Sequence, residues 1–202
     1  MNNPFVMVYE IELQRDYSWL SHSHTHISVC ICKVVVMLGD VSVGKTCLVK
    51  RLVNEDLPRR SAPTVGIEYV NKVFEMKDGG RLMTQIWDTA GQEKYKAICM
   101  HHYKNAVGAI IIYDITRLKT FENCENWMTD FKMQANEKAK IVLFGNKLDV
   151  VETEPNMRRV EKSTAQEWAT KHDLLFFEGS VMKNRNVYES IETLLEGRHA
   201  VK

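Results

Sequence analysis

The apolar positions fall into short runs that end in polar residues. Val34-Val35-Val36-Met37-Leu38 holds five consecutive apolar residues, three of them β-branched, and reads as a strand buried on both faces. A turn with glycine at each end follows, and Thr46 to Val53 predicts a helix. Leu57 to Pro63 carries two prolines and two arginines and reads as a loop. Val65, Ile67 and Tyr69 fall at every second position, as do Leu82, Thr84 and Ile86. With Asp78-Gly79-Gly80 between them, the two runs predict an antiparallel hairpin whose second strand ends at Trp87-Asp88. Val107 to Tyr113, Ile141 to Phe144 and Leu174 to Phe177 are further apolar runs, finishing at Asp114, Asn146 and Glu178-Ser180. Helical spacing fills the intervals. Phe121 to Met133 gathers Phe121, Cys124, Met128 and Phe131, and Ser163 to His172 holds Ala165, Trp168 and Ala169. Val187, Ile191, Leu194 and Leu195 make a terminal amphipathic helix. The expected architecture is α/β: a six-stranded, mostly parallel sheet with one antiparallel hairpin strand and helices on both faces. Such sheets bind ligands at the carboxyl ends of their strands, and every polar motif here follows a strand.

Bulk properties narrow the setting. At 202 residues the chain makes one domain with a full core. Its 27 basic and 26 acidic residues leave a net charge of +1, which gives no electrostatic reason to expect nucleic acid as a partner. Five cysteines without paired metal spacing suit reduced thiols in a cytoplasmic protein. Residues 1–32 differ in character and are expected to be a poorly ordered extension. His22, His24 and His26 would share one face of an extended chain, a weak transition-metal possibility beside the simpler reading of a solvated polar segment. The body is assigned to residues 33–196 and a short end to residues 197–202.

The first loop carries chemistry. Gly39, Gly44, Lys45 and Thr46 meet the pattern Gly-x-x-x-x-Gly-Lys-[Ser/Thr] between a strand and a helix. The backbone from Gly39 through Asp40, Val41, Ser42, Val43 and Gly44 to Cys47 is expected to aim N–H groups at phosphate oxygens. Lys45 would reach the β/γ-phosphates and the Thr46 hydroxyl would ligate Mg²⁺. Asp88 ends a neighbouring strand and suits the same cation; Gly91 offers an N–H to a γ-phosphate, and Gln92 can orient a water for in-line attack. In Asn146-Lys147-Leu148-Asp149, the Asp149 carboxylate matches guanine N1–H and the 2-amino group, which adenine lacks. The Lys147 stem can cover the base. This selects GTP over ATP.

Taken with Pro63 to Tyr69, Trp87 to Tyr95, Tyr113 to Thr116, Gly145 to Asp149 and Phe177 to Ser180, the pattern resembles the Ras superfamily of small GTPases, and its Rab branch in particular. The resemblance covers roughly residues 33 to 196 and implies a P-loop NTPase of the Ras-like G-domain type, binding GTP/GDP with Mg²⁺. It implies that Thr64 meets Mg²⁺ and the γ-phosphate in the GTP state, and that Lys45 and Gln92 serve hydrolysis. Ser180, Val181 and Met182 would form the fifth nucleotide motif, the Val181 N–H donating to guanine O6. Exchange factor, activating protein and effectors would bind through the segments Thr64–Tyr69 and Trp87–Tyr95, in vesicle trafficking on endomembranes.

Several residues depart from that pattern. Val41 and Ser42 replace Ser and a small residue, and Val41 would crowd Gln92 and an incoming arginine, which predicts slow hydrolysis. Leu57 replaces an aromatic beside guanine, Met182 replaces a lysine, and His102 replaces a tyrosine of the effector patch. Residues 197–202 lack cysteine, so no intrinsic membrane anchor is visible: either the protein is lipid-free or the sequence is truncated. The leading expectation is a slow regulatory GTPase. A GTP-binding scaffold with little hydrolysis is the alternative, and a P-loop kinase or ATPase is disfavoured by Asp149.

Overall fold

A six-stranded sheet organises the molecule, its strands side by side in the order Ile67–Glu75, Arg81–Thr89, Cys32–Leu38, Ala106–Asp114, Lys140–Asn146 and Leu175–Glu178, with the Val34 run near its centre. The computed structural model describes residues 32–57, 67–77, 79–89 and 103–197. Expectations for residues 1–31, Thr64, Gly91, Gln92, His102 and the stretch 198–202 lie outside the described residues. The strands are β1 (Cys32–Leu38), β2 (Ile67–Glu75), β3 (Arg81–Thr89), β4 (Ala106–Asp114), β5 (Lys140–Asn146) and β6 (Leu175–Glu178). β2 and β3 are antiparallel; the other neighbouring pairs are parallel. The mostly parallel sheet with one antiparallel pair is thus the expected one.

Helices α1 (Lys45–Leu52) and α6 (Val187–Glu196) cover one face; α3 (Cys124–Gln134) and α5 (Lys162–Lys171) cover the other. The period of two along β1 explains why both faces are apolar. Val35 and Met37 join Leu48, Leu52, Ile191 and Leu194, while Val36 and Leu38 join Trp127, Phe131 and Ala169. Both layers are shut from water, which the unbroken valine run required.

One expected helix differs in detail. The segment predicted from Phe121 to Met133 is two helices, α2 (Leu118–Glu122) and α3, jointed at Asn123. Thr120 Oγ1 accepts the Asp114 N–H at 3.0 Å and donates to the Arg117 carbonyl at 2.8 Å, so the first turn is fastened to the end of β4. Asn123 turns its amide to Asp40. A short helix α4 (Leu148–Thr153) and a 3₁₀ turn (Pro155–Met157), both too short for periodicity to reveal, follow β5.

Candidate functional site

The loop between β1 and α1 sits at the carboxyl edge of the sheet, and its two glycines are there for space as well as conformation. Gly39 has φ +134° and a Cβ on it would lie 2.2 Å from the Ile112 carbonyl oxygen; Gly44 has φ +108° and its Cβ would lie 2.4 Å from Asn146 Nδ2. The buried Lys45 folds back across the loop, donating to the carbonyls of Gly39 at 2.9 Å and Asp40 at 2.8 Å. A buried ammonium turned back over the loop in this way places positive charge beside the loop's backbone, an arrangement that suits an anion there. Val43 is buried, whereas Ser42 is exposed at φ 64°.

The side chains of this loop divide their work. Asp40 turns its carboxylate away to accept Trp127 Nε1 at 2.9 Å and Asn123 Nδ2 at 2.8 Å, so it ties the loop to α3. The Val41 carbonyl accepts Arg117 Nη2 at 3.1 Å. Cys47 is half-buried against the core; burial first, then the Asp88 charge, pushes its thiol up, and it stays protonated.

Thr46 and Asp88 come together as expected. Thr46 Oγ1 donates to Asp88 Oδ2 at 2.6 Å, and Asp88 Oδ1 is buried with no hydrogen-bond partner among the described residues. Burial pushes the Asp88 carboxyl up despite the Thr46 bond and the Lys45 charge. An orphaned carboxylate oxygen beside a hydroxyl is an oxygen-rich place that a hard cation such as Mg²⁺ fits.

At the base end, one side chain joins three segments. Asn146 Nδ2 donates to the Val43 carbonyl at 2.8 Å, and its Oδ1 accepts the N–H groups of Lys147 at 2.8 Å and Val181 at 3.1 Å. The Val181 N–H, expected to face guanine O6, is engaged by Asn146 here. Asp149 Oδ1 accepts Ser180 Oγ at 2.5 Å, and Ser180 Oγ accepts the Lys183 N–H at 3.0 Å. Lys147 adopts φ 73°, which turns the chain sharply out of β5. Its Nζ meets Asp114 Oδ2 at 2.6 Å.

Asp114 is a hub that motif spacing did not reveal. Its Oδ1 accepts the N–H of Thr116 at 3.0 Å and the Thr116 hydroxyl at 2.6 Å, and its Oδ2 accepts Arg117 Nε at 2.9 Å. Burial pushes this carboxyl up, but the Lys147 and Thr116 donors outweigh it and hold it below the usual range. Arg51 was also missed; it reaches the carbonyls of Val181 and Met182 from α1. Neither arginine had a sequence signal, because each bonds backbone carbonyls from a distant element. Leu57 is half-buried against the α1/α6 core layer. Tyr69 and Trp87 keep an aromatic contact, ring centres 4.9 Å apart, with Tyr69 53% exposed.

Similarity to known proteins agrees with this geometry. A model of the Ras family matches residues 33–199. The chain is 37% identical over 176 residues to Ras-related protein YPTC6 of Chlamydomonas reinhardtii, covering 87% of this chain and 79% of that protein. It is 38% identical over 160 residues to Ras-related protein Rab-13 of Mesocricetus auratus, covering 79% of this chain and 76% of the relative. Ras-related protein SEC4 of Candida albicans is 38% identical over 168 residues, with 82% of this chain and 78% of the relative covered.

Proposed function

This chain belongs to the Ras family of small GTPases, on its Rab branch, and from that premise we propose that it is a slow guanine-nucleotide switch of vesicle traffic. The observation that carries the guanine reading is the Asn146 amide. A single buried side chain bonds the phosphate loop at Val43, its own motif at Lys147 and the fifth motif at Val181. One amide thus ties the loop read as the phosphate cradle to the residues read as meeting the base, which supports a single composite site.

In this reading the Gly39–Cys47 backbone and Lys45 bind the phosphates, and Asp149 accepts from guanine N1–H and the 2-amino group. Thr46, Thr64 and Asp88 would hold Mg²⁺, which would neutralise charge on the β/γ-phosphates. Gln92 orients the attacking water and the Gly91 N–H meets the γ-phosphate. Thr64 and Gln92 would lose their contacts after hydrolysis, so the segments Thr64–Tyr69 and Trp87–Tyr95 present different surfaces to exchange factor, activating protein and effectors. The place of action is the cytoplasm and the face of endomembranes; among the described residues no helix is long and apolar enough to cross a membrane.

Slow turnover is proposed from Val41. Its carbonyl is held by Arg117, which limits how far the loop can shift to relieve crowding by the isopropyl group. A GTP-binding scaffold is the second reading, favoured by the same residue. Nucleotide extracted from the purified protein and separated by chromatography distinguishes them. Bound GDP supports turnover, trapped GTP supports the scaffold, and bound ATP would sink both.

A further inference from the structure

The loop Ser180-Val181-Met182 is held on its inner side by Asn146 and Asp149, as described above. Its outer side has a different support. Where the resemblance leads one to expect a lysine, Met182 is 58% exposed and offers neither charge nor a donor. Arg51 takes up that side from the neighbouring helix: Nε donates to the Val181 carbonyl at 3.0 Å and Nη2 to the Met182 carbonyl at 2.8 Å. Two donors of one planar guanidinium on successive carbonyls fix both the position and the tilt of the peptide between them.

Arg51 is itself braced. The Tyr188 hydroxyl of α6 donates to Asn54 Oδ1 at 2.7 Å and lies 3.2 Å from the carbonyls of Arg51 and Leu52, closing the end of α1. The same helix begins at Lys45 and Thr46. The Arg51 side chain thus links the helix that carries Lys45 and Thr46 to the base loop, beside the link that Asn146 makes.

We propose that Arg51 is a positioning residue for guanine retention. It holds Ser180–Met182 in place, Ser180 in turn orients the Asp149 carboxylate, and α1 thereby governs nucleotide release. This rests on the guanine reading of the site. The residue touches no reacting atom; it acts through the two carbonyls.

The test uses the full chain loaded with a fluorescent GDP analogue in Mg²⁺, with release started by excess unlabelled GDP. Arg51→Met keeps the aliphatic stem and removes both donor nitrogens, and Arg51→Lys keeps the charge on one donor nitrogen in place of the planar pair. The expected result is release accelerated roughly tenfold in Arg51→Met, the scale of two lost hydrogen bonds, with Arg51→Lys in between. A loosened Asp149 also reads the 2-amino group less well, so the ratio of inosine to guanosine diphosphate release rates should fall about threefold toward unity. A merely structural role would not move that ratio. Release at the wild-type rate in Arg51→Met overturns the proposal, as does faster release with an unchanged ratio and a lowered melting temperature. If the wild-type chain itself fails to retain GDP, it is the guanine reading that has failed, and this inference falls with it.

Discussion

Val41 lies in the loop between Gly39 and Gly44, half-buried and with its carbonyl held by Arg117, and its proposed effect is a matter of one isopropyl group. Val41→Ser is expected to raise single-turnover GTP hydrolysis about tenfold, or ~1.4 kcal/mol of barrier, measured with and without an activating protein. An unchanged rate in both would remove the argument for slow turnover. Asp149 is the residue that separates guanine from adenine. Asp149→Ala should weaken GDP binding by about a hundredfold or more in equilibrium titration, because guanine N1–H and its amino group would be left without an acceptor. That Lys45, Thr46, Asp88, Asn146 and Asp149 gather at one rim of the sheet was legible from motif order. The motif places Asp40 in the phosphate loop; that its carboxylate serves Trp127 and Asn123 depends on where α3 packs.

Among elements, the ends of β4 and β5 are joined by one buried carboxylate. Asp114 gathers Lys147, Arg117 and Thr116, and through Arg117 it reaches the Val41 carbonyl. Removing one partner of a buried ionic cluster leaves the others uncompensated. Asp114→Ala is expected to cost about 3 kcal/mol in urea unfolding. The pH dependence follows from the depressed carboxyl. A group with a folded pKa below its unfolded value, about 3.9 for Asp, contributes stability that is fully present above that value. The contribution is lost as pH falls through the lower folded value. Asp114→Asn should therefore be less stable than the parent at neutral pH, with the gap closing on acidification below about pH 4. A gap constant down to pH 2, on the acid side of that range, would contradict it. The strands were readable because each is an apolar run with a polar stop. The joint at Asn123 was not, since helical periodicity continues through it and only its bond to Asp40 marks the place.

For the molecule as a whole, the described core runs from Val35 to Leu195 and is split by the sheet into two layers. Lys33 extends this frame, donating from β1 to the Leu195 carbonyl at 2.8 Å. The proposed division at residue 32 makes a prediction: a chain beginning at Cys32 should melt within about 3 °C of the full one, under about 1 kcal/mol, and keep its GDP affinity. A larger loss would make residues 1–31 part of the domain. The sequence alone determined the sheet, its two-sided burial and the guanine-nucleotide chemistry, because apolar period, glycine turns and motif order are local properties of the chain. The tertiary structure decided which distant groups hold those motifs in place: Arg51 on the base loop, Arg117 on Val41, Asp114 on Lys147 and Asn146 between them all. Such bonds run to backbone carbonyls or between loops far apart in the chain, and a carbonyl looks the same at every position until folding brings a donor to it.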